Sequence, residues 1–233
     1  MQAQGIVREL VLLNGIPGAW IECASTLIPA PGQYLLAHVS GSDSPLAVPV
    51  FLGASFTGAQ KIGASGFLAA PSLPASWGIG TRLYLRGPLG HGFLLPKDAR
   101  RIALVAFDDL PLRLTALLGA ALKQEASIVL ACKEAPDDLP LQVEVQPLAA
   151  LMDVCAWADY TALESRRESL LELKKIFVGN FRLRIRDETQ ILIRTPMPCG
   201  ALAECGVCTL DSGHGQLLVC KDGPVFNLKD LLG

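Results

Sequence analysis

The stretch MPCGALAECGVC (197–208) puts three cysteines in ten residues, and a fourth follows in VCKDGPVF (219–226). The full spacing is Cys199-x5-Cys205-x2-Cys208-x11-Cys220. Four thiolates hold zinc, a single iron or an iron–sulfur cluster. Structural zinc sites use two short Cys pairs with a long spacer between them. Here three candidate ligands share one loop and the fourth stands apart, as in plant-type 2Fe–2S sites with their C-x4-C-x2-C…C order. The arrangement favours a 2Fe–2S cluster, with zinc as the alternative. A loop around a negatively charged cluster must turn backbone N–H groups towards sulfur, and the small residues Gly200, Ala201, Ala203 and Gly206 permit that approach.

The other cysteines, Cys23, Cys132 and Cys155, stand alone in apolar surroundings and read as small buried hydrophobes. Cysteines crowded into one segment suit metal binding better than a secreted disulfide framework. The N-terminus MQAQGIVREL has no basic region leading into an apolar core, so no signal peptide is expected and the cytoplasm is the expected location. No apolar run is long enough to span a bilayer, because glycine and proline interrupt each one.

The chain has 233 residues, enough for one large domain or two to three small ones. Its net charge of −2 argues against nucleic acid as a partner. Only 18% of residues are charged, below the usual quarter or so. From Cys23 to Thr81 the only formal charges are Asp43 and Lys61, whereas Glu164 to Arg194 is dense in charge. So charge-poor an N-terminal part predicts a covering protein partner.

Upstream of the cysteines, IVRELVLL, AWIECAST, QYLLAHVS, LAVPVFLG, GFLAAP and RLYLRGP read as short strands separated by turns, a small antiparallel β-barrel over 1–97. RRIALVAF and ASIVLACK are buried-strand runs flanking the helical pattern LPLRLTALLGAALKQE, so 98–178 reads as an α/β layer. Within it, Thr161-Ala-Leu-Glu164 fits a capping box opening a helix. FRLRIRDETQILIR (181–194) fits a hairpin, with Phe181, Leu183 and Ile185 on one face and Arg182, Arg184 and Arg186 on the solvated other. Residues 179–233 then hold this hairpin and the cysteine segment.

MPCGALAECGVC followed by VCKDGPVFNLKDL resembles the C-terminal cluster domain of the electron-transfer subunit of NAD-linked dihydroorotate dehydrogenases, in the ferredoxin-reductase superfamily. PGQYLLAHV, GPLGHGF and LPLQVEV…WADYTAL are similar, in the same order, to its barrel strand, barrel exit and cofactor domain. The resemblance implies a 2Fe–2S cluster on Cys199, Cys205, Cys208 and Cys220. It implies FAD held partly at Gly87, Pro88, Gly90 and Gly92 of the barrel exit, and hydride taken from NADH. It also implies a flavoprotein dehydrogenase subunit as partner and a place in pyrimidine biosynthesis.

Three departures bear on those implications. Five residues separate the first two cysteines where relatives have four, which puts Glu204 beside Cys205. Close to a cluster, its charge lowers the reduction potential. Relatives bind flavin with an Arg-Pro-x-Ser strand, but PLAVPVFLG holds Val48 and Phe51 at those positions. That removes a charge-assisted contact to pyrophosphate and a hydrogen bond to the ring. Relatives cradle the nicotinamide cofactor on a glycine-rich turn. Here the turn is LVAFDDLPL, where Asp108 and Asp109 are expected to cap the following helix and repel phosphate, which argues against NAD. His38, His91 and His214 are scattered and suggest no catalytic residue; His91 reads as an exposed loop residue. Two functions follow: an electron-transfer subunit that keeps FAD through altered contacts, or a non-enzymatic cluster-carrying scaffold.

Overall fold

Alternation of apolar and polar residues in the first ninety positions produces six strands: β1 (Gln2–Leu13), β2 (Ile16–Glu22), β3 (Tyr34–Val39), β4 (Val48–Phe51), β5 (Gly66–Ala69) and β6 (Arg82–Leu89). The computed structural model describes residues 2–41, 47–54, 65–70, 73–179, 188–213 and 215–232. The six strands form one antiparallel sheet in the order β4-β3-β6-β1-β2-β5. Asn14 and Gly15 turn β1 into β2, both at positive φ (48° and 75°), the geometry that matches the twist of a hairpin. Val7, Ile21, Leu35, Phe67 and Leu83 fill the interior. The two edge strands meet: the Gly53 N–H donates to the Leu68 carbonyl at 2.8 Å and the Ala70 N–H to that of Phe51 at 2.9 Å. The sheet therefore curls until its edges touch.

A second six-stranded sheet takes the order β14-β11-β10-β7-β8-β9, from β7 (Arg101–Ala106), β8 (Ser127–Cys132), β9 (Val143–Pro147), β10 (Tyr160–Arg166), β11 (Thr189–Arg194) and, near the C-terminus, β14 (Val225–Asn227). All its pairings are parallel except β11 with β14. Strands β7, β8 and β10 are buried almost end to end, because both faces of a parallel sheet are covered. The covering helices are α1 (Leu118–Lys123), α2 (Leu151–Trp157) and α3 (Leu170–Gly179). A small hairpin of β12 (Thr209–Ser212) and β13 (Gly215–Leu218), the single turn α4 (Val219–Asp222) and α5 (Leu228–Leu232) complete the chain. One apolar core runs from Tyr34 and Phe51 through this sheet to Met197, Cys208, Cys220 and Leu231. Among the described residues no helix is long and apolar enough to cross a membrane.

The structure corrects the sequence reading in several places. Thr161–Glu164 is no capping box; it lies inside β10, and the helix begins only at Leu170, after a short 3₁₀ turn at Arg167–Ser169. Burial on both faces of the sheet outweighs the local cap pattern. The helix read from LPLRLTALLGAALKQE is short: a 3₁₀ turn, Leu114–Leu117, leads into α1, and Glu125 ends it at a φ of 56°. Strand β11, the second arm of the expected hairpin, runs parallel to β10, and with β14 it knits the C-terminal segment into the central sheet. The first arm of that hairpin and its arginine row lie outside the described residues. Cys23, Cys132 and Cys155 are buried as read, and burial pushes the thiols of Cys23 and Cys155 up to about 11 and about 12.

Candidate metal centre

The cysteine loop follows β11 and leads into β12. A turn closed by the Gly200 N–H on the Met197 carbonyl (3.0 Å) presents Cys199. At the far end Thr209 donates its N–H (3.1 Å) and its hydroxyl (2.6 Å) to the Gly206 carbonyl. The β12–β13 hairpin brings the chain back, and the Val219 N–H donates to the Cys208 carbonyl at 3.1 Å, which sets Cys220 beside Cys208.

The Cys199 thiol lies within reach of Cys205 and that of Cys220 within reach of Cys208, and Cys220 also lies within the field of Cys199. Among the described residues no three Cys, His, Asp or Glu side chains converge on a point where one ion would sit. Cys208 and Cys220 are buried, Cys199 half-buried and Cys205 exposed.

Backbone donors surround the sulfur atoms. The N–H of Glu204, with those of Leu202 and Cys205, points at Cys199 and holds its thiol down at about 6 despite partial burial. Cys220 is pushed up to about 12, first by burial and then by Cys208, while the Ala203 N–H pulls the other way. The loop can aim these donors because Gly200, Ala201, Ala203 and Gly206 all adopt positive φ (61°, 58°, 62° and 67°). Left-handed residues interleaved along a loop turn successive N–H groups to one side, the geometry of an anion-binding nest. For the two alanines that conformation costs roughly 1–2 kcal/mol each. The Glu204 side chain is exposed.

The barrel exit GPLGHGF packs on the turn that carries Cys220. The His91 N–H donates to the Gly223 carbonyl at 2.7 Å, and His91 Nδ1 lies 3.0 Å from the Asp222 carbonyl. Gly90 has φ +73°, and a Cβ there would lie 2.5 Å from Pro224 Cδ and 2.6 Å from the Gly223 oxygen. A Cβ on Gly92 would lie 2.7 Å from the Pro31 carbonyl, and one on Gly87 2.6 Å from Leu35 Cδ2. Pro88 follows Gly87 through a cis peptide. Two side chains passed over in the sequence reach the cysteine loop from the barrel-like sheet. Tyr34 Oη donates to the Cys220 carbonyl at 3.0 Å, and the Arg86 guanidinium donates to the Gly200 carbonyl. A tyrosine inside an otherwise apolar strand, and an arginine directly before GPLGHGF, were the available signals.

At the carboxyl ends of β7, β10 and β11, where open α/β sheets bind ligands, charged side chains hold one another. Arg113 Nη1 donates to Glu164 Oε1 at 2.8 Å, and Arg194 Nε lies 2.7 Å from the same oxygen. Asp109 accepts from Arg166 Nε at 2.9 Å and also from Arg194. Asp108 accepts from the Ser165 hydroxyl at 3.0 Å, the Arg166 N–H at 2.7 Å and the Ser169 hydroxyl. Neither aspartate caps the following helix, which corrects that expectation; the end of β10, Ser169 and Arg194 supply their donors instead. Burial pulls Asp109 up, but Arg166 and Arg194 win and hold it below the usual carboxylate range. A cavity of about 660 Å³ remains, lined by Asn14, Asp108, Asp109, Arg113, Lys133 and Arg166 among others. With two carboxylates and no glycine in the turn after β7, these residues do not fit the phosphates of a dinucleotide. Phe51 is buried, and the Arg113 guanidinium lies 5.5 Å from its ring centroid, so the position where relatives offer serine to flavin is filled by an aromatic–cation stack.

Fold and site together define a ferredoxin-reductase-like protein with a C-terminal iron–sulfur segment. Residues 195–232 match the iron–sulfur cluster binding domain of dihydroorotate dehydrogenase B. More particularly, the chain is similar to the probable dihydroorotate dehydrogenase B (NAD(+)), electron transfer subunit, of Thermococcus kodakarensis. It is 28% identical over 176 residues, which cover 66% of this chain and 69% of that protein. The resemblance read from the motifs is thereby borne out. Among solved structures, the NADH-dependent reduced ferredoxin–NADP oxidoreductase superposes with a TM-score of 0.71 at 13% identity, over 98% of this chain and 90% of that one. The Amycolatopsis cytochrome P450 reductase does so with a TM-score of 0.61 at 15% identity, over 84% of this chain and 70% of that one. At such identities these two likenesses show the fold alone.

Proposed function

We propose that the chain is the electron-transfer subunit of a two-part oxidoreductase like dihydroorotate dehydrogenase B. In this reading it carries a 2Fe–2S cluster on Cys199, Cys205, Cys208 and Cys220. The observation that carries the proposal is a loop with positive φ at Gly200, Ala201, Ala203 and Gly206 that gathers Cys199, Cys205 and Cys208, and the Val219 N–H bond to the Cys208 carbonyl that brings Cys220 back beside it. A dinuclear cluster takes two thiolates per iron, whereas zinc takes four around one ion. Such a cluster accepts and passes single electrons. The loop supplies the ligands and N–H dipoles that favour its negative charge, and the buried pair limits water access from one side.

The partner in this reading is a flavoprotein subunit in a hetero-oligomer. It covers the charge-poor N-terminal part, which exposes Leu12 and Ile79 at 73% each. Residues 1–97 form the FAD-domain-like part and 98–178 the NAD-domain-like part, while 179–233 carry the cluster and lend β11 and β14 to the central sheet. A reducing cytoplasm suits ligating thiols, and pyrimidine synthesis is the pathway the relative's name suggests.

The ion-paired crevice and the Phe51 position favour a second reading. Here the reductase part survives as a scaffold, takes no electrons from NADH, and depends on another protein for them. The flavin-bearing version instead has FAD along Gly87, Pro88, Gly90 and Gly92, with altered contacts replacing the lost arginine and serine.

One absorption experiment on anaerobically purified protein separates these. Broad visible bands bleached by dithionite are expected and support the cluster. Additional flavin peaks bleached by NADH would restore the complete reductase reading. Cluster bands indifferent to NADH support the scaffold, and a colourless, zinc-containing protein would overturn the electron-transfer function.

A further inference from the structure

We propose that Tyr34 and Arg86 are positioning residues that clamp the cluster loop to the barrel-like sheet and raise the potential of the centre, one for each thiol pair. The inference rests on the cluster reading above.

Tyr34 opens β3, is fully buried, and donates its hydroxyl to the carbonyl of Cys220 itself. Arg86 stands on the neighbouring strand β6, directly across from Leu36 of β3. Its guanidinium donates to the carbonyl of Gly200, the residue after Cys199. Arg86 and Cys199 also border the same cavity of about 680 Å³, with Leu36, His38, Tyr84 and Leu202. One donor therefore holds the Cys199–Cys205 half of the site, and the other holds the Cys208–Cys220 half. Both rise from paired strands of one sheet, so they set the two halves relative to each other more rigidly than a surface loop would.

The two residues differ in kind. Tyr34 is a neutral O–H donor bonded to a backbone carbonyl. It orients a ligand's peptide without bringing charge. Arg86 brings a guanidinium cation, on the strand paired with that of Tyr34. Adding an electron to an already negative cluster is helped by a fixed cation and by donors aimed at its ligands. Arg86 therefore stabilises the reduced state by charge, and Tyr34 by geometry.

The test uses full-length wild type and Arg86→Gln, Arg86→Lys and Tyr34→Phe chains, purified anaerobically. Iron and sulfide are assayed, the dithionite-reduced EPR spectrum is recorded, and the potential is obtained by redox titration. Arg86→Gln should move the one-electron equilibrium towards the oxidised form by up to tenfold, which is about 59 mV. Arg86→Lys should restore most of that shift, since it keeps the charge. Tyr34→Phe should keep its iron, alter the EPR g-values and move the potential less. A cluster lost in Arg86→Gln but kept in Arg86→Lys supports the clamp equally. Coloured variants with wild-type potential and spectrum overturn the clamp alone. A wild-type chain without iron overturns the cluster reading and the clamp with it.

Discussion

Arg113 and Glu164 meet at 2.8 Å, both almost sealed from solvent, where the parallel strands of the central sheet end. That edge is where doubly wound sheets open towards ligands. Here Arg194, Asp109 and Arg166 extend the pair outward into a chain of charges. Arg194 ends β11, so this network stands directly before the cysteine segment.

Glu164→Gln should destabilise the fold by about 3–5 kcal/mol, since it leaves the buried Arg113 and the neighbouring Arg194 facing a neutral amide. Urea unfolding of the apoprotein reads this directly. Adding Arg113→Met should recover part of the loss, because the two residues share one interaction.

Asp109 links stability to acid. Its folded-state pKa lies below the unfolded value, near 3.9, so its contribution is complete above that value and disappears as pH falls through the folded one. The melting temperature of the wild type should drop as pH is lowered below about 4. Asp109→Asn should be less stable at neutral pH and should lack that part of the acid dependence.

Gly90→Ala tests the joint between barrel exit and cluster turn. The substitution meets both a left-handed backbone and a 2.5 Å approach to Pro224. It should cost at least about 1–2 kcal/mol and lower the iron content of the purified protein, whereas Gly119→Ala, with open space around it, should do neither.

Glu204→Gln should raise the cluster potential, since the carboxylate stands one residue from Cys205 and its own N–H serves Cys199. The Glu204 side chain is exposed, so the difference between the two proteins should shrink as ionic strength rises. Parallel redox titrations at low and high salt measure both effects.

The strands were legible because their residues announce burial. ALVA and IVLA are apolar on both faces, and only a covered parallel sheet accommodates such runs. Thr161–Glu164 misled because a cap pattern is local, while the pairing of β10 between β7 and β11 is not. Asp108 and Asp109 were read as capping the following helix. Their donors were misplaced, because Ser165, Arg166, Ser169 and Arg194 lie more than fifty residues away in the chain.

By itself the sequence determined the cysteine spacing, the small residues that let the loop turn its N–H groups inward, and the strand-and-turn pattern of both sheets. Each of these is a short-range property, carried by residue type and interval. Only the tertiary structure decided that Cys220 returns beside Cys208, that Tyr34 and Arg86 reach the cysteine loop from the barrel-like sheet, and that the sheet's ligand edge is filled by its own ions. These are contacts between distant segments. Their partners are chosen by the packing of one sheet against another, because burying a polar group is tolerated only where the fold delivers its counterpart.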